Sequence, residues 1–304
     1  SEPIKIKFGE DNLNKNDILW YPTDTRQNQN TNTGIIGTMG TGKTQFTKSV
    51  ITQIIRNSAD NIDSLPIDIL IFNYKAKDYL DDKFITATKG KVYEPYHLPF
   101  NPLSLFGSRP LLPVHTANLF KTTLSKSFGL GQVQQSNLNR IIMEAYEQKG
   151  IIKNDSSTWS KPAPTIHDLW EIYSNEEKVV YDSLYSALEK LNSFEIFEPN
   201  ANNTTSLFDM LDGITVINIA GYDPDIQNLI VAITLDIFYT QMQVKGASVQ
   251  LNGHRQMTKM LLVDEADNFM SQDFESLKKI LKEGREFGVG TILSTQQISH
   301  FKTS

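Results

Sequence analysis

The length of 304 residues, with 39% hydrophobic and 21% charged residues, is typical of a globular chain with a large buried core. The sequence has no cysteine, which excludes disulfides and thiolate metal sites, and no apolar run near the roughly 20 residues of a membrane span, so we expect a cytoplasmic protein without membrane contact. A formal net charge of −6 argues against a broad basic face for nucleic acid, so any contact with DNA must be local or belong to another domain.

The first predicted elements lead into a glycine-rich loop. Residues 4–8 alternate between apolar and polar side chains, which predicts an edge strand. The apolar run 33–36 predicts a buried strand, and the apolar spacing within 46–55 predicts a helix. Between these two elements lies the octapeptide Gly37-Thr38-Met39-Gly40-Thr41-Gly42-Lys43-Thr44. It matches the phosphate-binding P-loop pattern G-x-x-x-x-G-K-[ST] at every fixed position.

This loop predicts a binding site for the phosphates of ATP. Its glycines let backbone N–H groups approach the phosphates, and the N-terminus of the following helix adds partial positive charge. We expect Lys43 to reach the β- and γ-phosphates and the Thr44 hydroxyl to hold Mg²⁺. The nucleotide-binding segment is predicted to run from Gly37 to Gln45. The alternative is a glycine turn before an ordinary helix, and the motifs described below argue against it.

Helical spacing dominates the middle of the chain. A proline-rich connector ends at Pro113, and beyond it glycines and prolines separate segments of helical periodicity. The predicted helices are 114–127, 134–149, 165–174 and 176–192. Because strand patterns resume after these helices, we interpret 113–203 as an all-helical insertion in an α/β core that comprises about 1–112 and 204–304.

The remaining apolar runs predict the other strands of a mainly parallel, doubly wound sheet. These runs are 67–73, 213–220, 260–263 and 290–294. Helices are predicted from Asp223 to about Gln243 and near 273–287. Ligands of such sheets bind at the carboxyl ends of the strands. Lys75, just beyond the first of these runs, is therefore a candidate contact for phosphate or for a partner, and a solvated loop lysine explains it equally well.

Two carboxylates follow the run 260–263. Hydrolysis of ATP needs one carboxylate to hold the magnesium shell and another group to activate or orient water. Asp264 suits the first role, and Glu265 suits the second. The alternative is a strand that simply ends in an acidic turn, but the P-loop earlier in the chain favours the catalytic interpretation.

The last predicted strand also ends in polar side chains. Gln296 is the candidate for a hydrogen bond to the γ-phosphate or the attacking water, and Gln297 is the weaker candidate. A polar strand terminus without such a role is the alternative. Arg285, which precedes this strand, is the candidate for stabilising transition-state charge, either in cis or toward a neighbouring subunit. A surface ion pair with Glu283 or Glu286 explains Arg285 as well.

In this order, the motifs resemble those of the HerA/FtsK superfamily of ring-forming, DNA-pumping ATPases. The resemblance is carried by 37–44, Phe100-Asn101-Pro102-Leu103, Leu262-Val263-Asp264-Glu265, Gly284-Arg285 and Ser294-Thr295-Gln296. The glutamine at the end of the last strand points to this superfamily rather than to other P-loop families. The resemblance implies a RecA-like fold, Mg-ATP, a hexameric ring or similar homo-oligomer, and localised contact with double-stranded DNA.

A narrower resemblance is to the C-terminal ATPase region of the DptH proteins of bacterial phosphorothioation-dependent restriction systems. It is carried by Phe72-Asn73-Tyr74-Lys75, by 101–103 and by 262–267. It implies anti-phage restriction of DNA that lacks the sulfur modification, with other restriction-system proteins as partners. The alternative functions are an ATPase for conjugation or protein secretion, and a nucleotide-gated assembly module without motor activity.

Overall fold

A computed structural model describes residues 2–37, 41–75, 77–264 and 272–296 of the chain. Its strands and helices, in chain order, are β1 (Ile6–Glu10), β2 (Asp17–Trp20), β3 (Asn32–Ile36), α1 (Lys43–Arg56), β4 (Asp68–Asn73), α2 (Asp82–Thr88), β5 (Lys91–Tyr93), α3 (Leu112–Phe128), α4 (Gln132–Gln148), α5 (Ile166–Ser174), α6 (Ser183–Ser193), α7 (Leu207–Met210), β6 (Ile214–Asn218), α8 (Pro224–Lys245), β7 (Gln250–Leu251), β8 (His254–Arg255), β9 (Lys259–Val263), α9 (Glu275–Glu283) and β10 (Val289–Thr295). None of these helices combines the length and the apolar character that a bilayer crossing requires.

Six of the strands form one sheet in the order β3-β10-β9-β4-β6-β5. All neighbouring pairs in this sheet run parallel. Parallel neighbours need crossover connections, which explains why the sequence alternates between apolar strands and longer helical segments. The central strands are nearly continuous runs of isoleucine, leucine and valine, as expected where both faces of a sheet are covered. The predicted α/β fold with a mainly parallel central sheet is confirmed.

The chain divides into two units, one built on the sheet and one built of helices. The first unit comprises Ser1–Tyr93, Leu211–Gly221 and Lys245–Ser304 and contains the six-stranded sheet. The second unit comprises Glu94–Met210 and Tyr222–Val244 and contains the helices from α3 to α8. It includes the segment predicted as a helical insertion together with the long helix α8. The predicted limits of that insertion, 113 and 203, remain a prediction.

Two elements differ from the sequence prediction. The helix predicted at 176–192 begins only at Ser183, because the carboxylate of Asp182 accepts a hydrogen bond from Tyr185 N at 3.0 Å and so acts as the N-cap. The strand predicted at 4–8 is β1, and it does not lie at the edge of the central sheet. It pairs antiparallel with β2 in a separate two-stranded sheet.

The hairpin of β1 and β2 packs along α1. The Gln53 side chain accepts from Lys7 N at 2.7 Å and donates to Lys7 O at 2.8 Å, so it extends the edge of the strand like a backbone partner. Nearer the start of α1, the rings of Phe8 and Phe46 lie 5.4 Å apart, and Phe8 stacks on Trp20 at 5.5 Å. The hairpin therefore contacts α1 near both of its ends.

The opposite side of α1 packs on the sheet. Its buried residues Val50, Ile51 and Ile54 belong to one apolar core with alternate residues of the strands, including Ile71, Leu262 and Ile292. Fully burying one such side chain stabilises the fold by about 1.5–3 kcal/mol. This packing fixes α1 on one face of the sheet, with its first turn at the carboxyl ends of the strands.

A buried ion pair joins the amino ends of the central strands. Lys259 Nζ lies 2.5 Å from Asp68 Oδ2, and only 7% and 15% of these two side chains are exposed. The two residues are register partners on β9 and β4. The other oxygen of Asp68 accepts a hydrogen bond from Gly213 N, just before β6, at 2.9 Å. One carboxylate thus holds the starts of three adjacent strands.

Asp68→Asn is expected to lower the free energy of unfolding by about 3 kcal/mol or more, because the amide leaves the buried Lys259 ammonium without this counter-charge. Guanidinium unfolding followed by circular dichroism measures the change. Asp212→Asn is the matched control. It removes an exposed pair with Lys91, in which 49% and 81% of the side chains are exposed, and it is expected to cost about 0.5 kcal/mol or less. Equal losses in the two variants would contradict the prediction.

Candidate nucleotide-binding site

The predicted P-loop joins β3 to α1. Residues 38–40 lie outside the described residues, and the structure describes Gly37 and 41–44. Gly37 N donates to Thr295 O at 3.3 Å, so the pairing of β3 with β10 continues into the loop. A Cβ atom on Gly37 would lie 2.6 Å from Oγ1 of Thr41, so a larger residue here would displace that side chain. The entry to the loop therefore favours glycine.

The exit of the loop forms the N-terminus of α1. Gly42 is the N-cap residue, with φ 83° and ψ 14°, a left-handed conformation that favours glycine. Its carbonyl accepts a hydrogen bond from Phe46 N at 3.0 Å. Lys43 and Thr44 occupy the first turn, where backbone N–H groups have no partner within the helix. Gly42 has no side chain with which to cap this end, and the N-terminus of a helix is suited to an anion.

The strands beside the loop end at the same edge of the sheet. The register pairs Thr295 with the last residue of β3, and it pairs Leu293 with the last residue of β9. Gln296 directly follows β10 and is exposed, whereas Asp264 directly follows β9 and is only 3% exposed. Asp264 stands two strands from the start of the loop, a distance of about 10 Å in the plane of the sheet.

Asp264 also lies on the sheet face that carries α1. Paired residues of neighbouring parallel strands face the same side, and successive residues alternate between the two sides. Leu262 and Ile292 are paired, and both belong to the core beneath α1. Asp264 and Ser294, two residues further along, continue on that face. The predicted magnesium ligands Thr44 and Asp264 thus share one edge and one face.

Magnesium fits this donor set. Among the residues that the structure describes, no cluster of three or more histidine, aspartate or glutamate side chains is placed to hold a metal. Mg²⁺ does not need such a cluster, because it keeps several water ligands and takes one or two carboxylates together with phosphate oxygens. A hydroxyl at Thr44 and a buried carboxylate at Asp264 satisfy this requirement.

An open pocket lies beside the first turn of α1. Thr44, Gln45 and Lys48 line one side of it, and Lys77, Asp81 and Asp82 line the other. Lys48 extends over the aromatic rings of Tyr79 and Phe84, with its Nζ 5.9 Å and 5.3 Å from the ring centroids. The pocket leaves space for a ligand next to the residues that the P-loop motif assigns to nucleotide and magnesium.

Sequence reasoning missed two hydroxyls of residues near Asp264. Ser294, on β10, is 1% exposed, and Tyr74 follows β4 directly. The oxygen atoms of both hydroxyls are buried and make no hydrogen bond with a described residue. Burial and the nearby charge of Asp264 raise the pKa of the Tyr74 phenol well above its usual value. In the sequence, the only sign of these two residues was that Tyr74 belongs to the motif 72–75 and Ser294 to the motif 294–296.

Two asparagines tie the ends of β4 and β6 together. Asn73 Nδ2 donates to Asn218 Oδ1 at 3.1 Å. Asn73 Oδ1 accepts from Tyr79 N at 3.3 Å, and Asn218 Oδ1 accepts from Ala220 N at 3.2 Å. The pair thereby anchors the loop that carries Tyr74 and Lys75. These side chains were not predicted, because their pairing depends on the strand order.

Arg285 lies at the other edge of the sheet. It belongs to the turn Gly284–Phe287 that precedes β10, and its Nη2 donates to Thr25 O at 3.4 Å. The seven residues of β10 place it about 20 Å from the strand ends that meet the P-loop. Arg285 thus lies far from the P-loop edge of its own sheet, and its role in stabilising transition-state charge remains a prediction. Glu265 and Gln297 lie outside the described residues, so their assignments also remain predictions.

Several solved structures resemble the fold of this chain. VirB4 of Thermoanaerobacter pseudethanolicus matches with a TM-score of 0.70 at 16% identity, over 98% of this chain and 78% of that chain. The plasmid coupling protein TrwB in complex with ADP and Mg²⁺ matches with a TM-score of 0.54 at 12% identity, over 91% of this chain and 64% of TrwB. TrwB in complex with the ATP analogue ADPNP matches with a TM-score of 0.55 at 12% identity, over 92% and 65% of the two chains.

These identities establish the fold alone, which is that of the RecA-like P-loop proteins. The chain spans less than two thirds of the TrwB chains that it matches. No curated protein matches the sequence. A family model described as the central domain of helicase HerA matches residues 23–237, which is more than half of the chain. The chain therefore belongs to the family of the helicase HerA central domain.

Proposed function

We propose that the protein is an ATP-hydrolysing motor subunit that acts on double-stranded DNA. The observation that carries the proposal is the meeting of the N-terminus of α1, which begins after Gly42, and a buried carboxylate, Asp264, at one edge and on one face of a parallel sheet. Membership of the HerA central-domain family supports it. The complexes of TrwB with ADP and Mg²⁺ and with ADPNP support ATP and Mg²⁺ as the cofactors.

Each site residue has a defined role in this proposal. Backbone N–H groups of 37–44 bind the phosphates, and Lys43 orients the β- and γ-phosphates. Thr44 and, through water, Asp264 would hold Mg²⁺, which when bound neutralises charge that develops on the phosphates. Glu265 accepts a proton from the attacking water or orients it. Gln296, exposed at the end of β10, reports the state of the γ-phosphate to neighbouring loops.

The negative net charge of the chain limits how large a surface can contact DNA. Because the net charge of −6 argues against a broad basic face, we expect the contact to be confined to a small surface such as the pore of a homo-oligomeric ring. In such a ring, Arg285 reaches the nucleotide of the neighbouring subunit. The resemblance of 72–75 and 262–267 to DptH proteins supports a role in phosphorothioation-dependent restriction, with other proteins of that system as partners.

A second candidate is a motor for conjugation or protein secretion. The superpositions on VirB4 and on TrwB, which is described as a bacterial conjugative coupling protein, favour it. Both candidates use the same ATPase site, so they differ in the macromolecule that stimulates turnover.

Lys43→Ala is expected to lower the rate of ATP hydrolysis about 100-fold or more, because the ammonium stabilises charge on the transferred phosphoryl group. Release of inorganic phosphate by the purified protein measures the rate, and circular dichroism confirms the fold. Lys282→Ala on α9 is the matched control, since this exposed lysine lies away from the site and should leave the rate unchanged. Hydrolysis at the wild-type rate in the Lys43 variant would refute the proposed site.

Linear duplex DNA is expected to raise the rate of ATP hydrolysis, and the stimulation should fall as salt is raised from about 50 to 200 mM, because phosphate contacts release counterions. Single-stranded DNA of the same sequence is the comparison. A rate that duplex DNA leaves unchanged at every salt concentration would count against a duplex-driven motor and favour the secretion candidate.

Glu265→Gln is expected to retain ATP-dependent assembly and to lose translocation, because the amide cannot accept a proton from water. Mass photometry with ATP measures the assembly, and displacement of a DNA-bound roadblock measures translocation. Translocation that survives in this variant would identify the protein as a nucleotide-gated assembly module instead.

A further inference from the structure

Three adjacent strands end in polar side chains around one carboxylate. Asp264 follows β9, which lies between β10 and β4 in the sheet. The register of β10 places Ser294 level with Asp264. The register of β4 pairs Phe72 with the last residue of β9, so Tyr74 lies one residue beyond the level of Asp264. Ser294 thus shares the level and the sheet face of Asp264, and the Tyr74 phenol lies near enough for the charge of Asp264 to raise its pKa.

These two hydroxyls are exceptions to the usual pairing of buried polar groups. Ser294 Oγ and the Tyr74 hydroxyl oxygen are buried and make no hydrogen bond with a described residue. A buried hydroxyl without a partner destabilises the folded state, and in native proteins such groups often mark a place for water, an ion or a ligand. Both hydroxyls belong to residues near the same carboxylate, Ser294 by the strand register and Tyr74 by the effect of the Asp264 charge on its phenol, which separates them from an isolated packing defect.

We propose that Tyr74 and Ser294 are positioning residues, whose hydroxyls hold the water molecules that connect Asp264 to the Mg²⁺ of a bound nucleotide. The inference rests on the proposed function, since it concerns the same site. Each hydroxyl donates one hydrogen bond and accepts others, so it can accept from a water in the metal shell or donate to the carboxylate. Tyr74 and Ser294 come from the two strands that neighbour β9, the strand that Asp264 follows.

A third hydroxyl provides a control. Thr215 on β6 is fully buried, and its Oγ1 makes no hydrogen bond with a described residue. It is paired with Leu70 in the middle of β4, so it lies several residues before the carboxyl ends of the strands, where the site is. Removing this hydroxyl should have the same effect on stability as removing the other two and no effect on ligand binding.

Tyr74→Phe, Ser294→Ala and Thr215→Val each remove one hydroxyl with little change in shape. Each variant is expected to raise the melting temperature of the nucleotide-free protein by about 2 °C. Affinity for a fluorescent ADP analogue is then measured with Mg²⁺ and with EDTA. In Tyr74→Phe and Ser294→Ala, the gain in affinity from Mg²⁺ should fall about 3- to 10-fold, whereas affinity in EDTA should not change. Thr215→Val should keep the full gain.

The possible outcomes separate this inference from the function on which it rests. A Mg²⁺-dependent gain in wild type that persists unchanged in Tyr74→Phe and Ser294→Ala overturns the inference and leaves the proposed function standing. A lower melting temperature in those variants also overturns it, because the hydroxyls would then have partners in the free protein. A wild-type protein that binds the ADP analogue without any Mg²⁺ effect overturns the metal site itself, together with the inference.

Discussion

The parallel pairing of β10 with both β3 and β9 is the constraint on which the candidate site depends. One neighbour of β10 leads into the P-loop, and the other ends at Asp264. Because the two pairings share one strand, neither β3 nor β9 can slide along the sheet without changing hydrogen bonds along β10. The apolar core beneath α1 then fixes the face on which the chemistry takes place. Hydrophobic burial and backbone pairing thus determine where the polar groups of the site lie, although these groups contribute to neither the core nor the strand ladder.

Local sequence patterns were sufficient to predict the strands of the sheet and the position of the P-loop motif, but not the arrangement of the strands in space. Continuous apolar runs and the spacing of glycines are properties of short segments, so β4, β6, β9 and the P-loop could be predicted. The nearness of Tyr74 to Asp264 and the pairing of Asn73 with Asn218 depend on strand order, which connects residues far apart in the chain. The edge at which Arg285 lies follows from its place before β10 in a parallel sheet. The start of α6 was misplaced because the cap at Asp182 outweighs a helical pattern that continues before it.

One motif that carried the family resemblance has structural contacts in this protein. Asn101 donates from Nδ2 to Pro164 O at 2.9 Å and accepts from Leu103 N at 3.0 Å. The carbonyl of Leu103 in turn accepts from the buried Tyr146 hydroxyl at 2.6 Å. These bonds satisfy backbone groups of a proline-rich connector within the helical unit, where regular secondary structure is absent. A segment that identifies a family therefore need not take part in its chemistry.

The contacts between α1 and the hairpin of β1 and β2 restrict how the helix can move. The Gln53 amide joins α1 to β1 through both a donor and an acceptor, and the rings of Phe8 and Phe46 are in contact nearer the P-loop. Sliding α1 along its own axis would break the amide pair and separate the rings at the same time. The hairpin is therefore coupled to α1 at two points, and any displacement of this helix is expected to displace β1 and its exposed partner β2 as well.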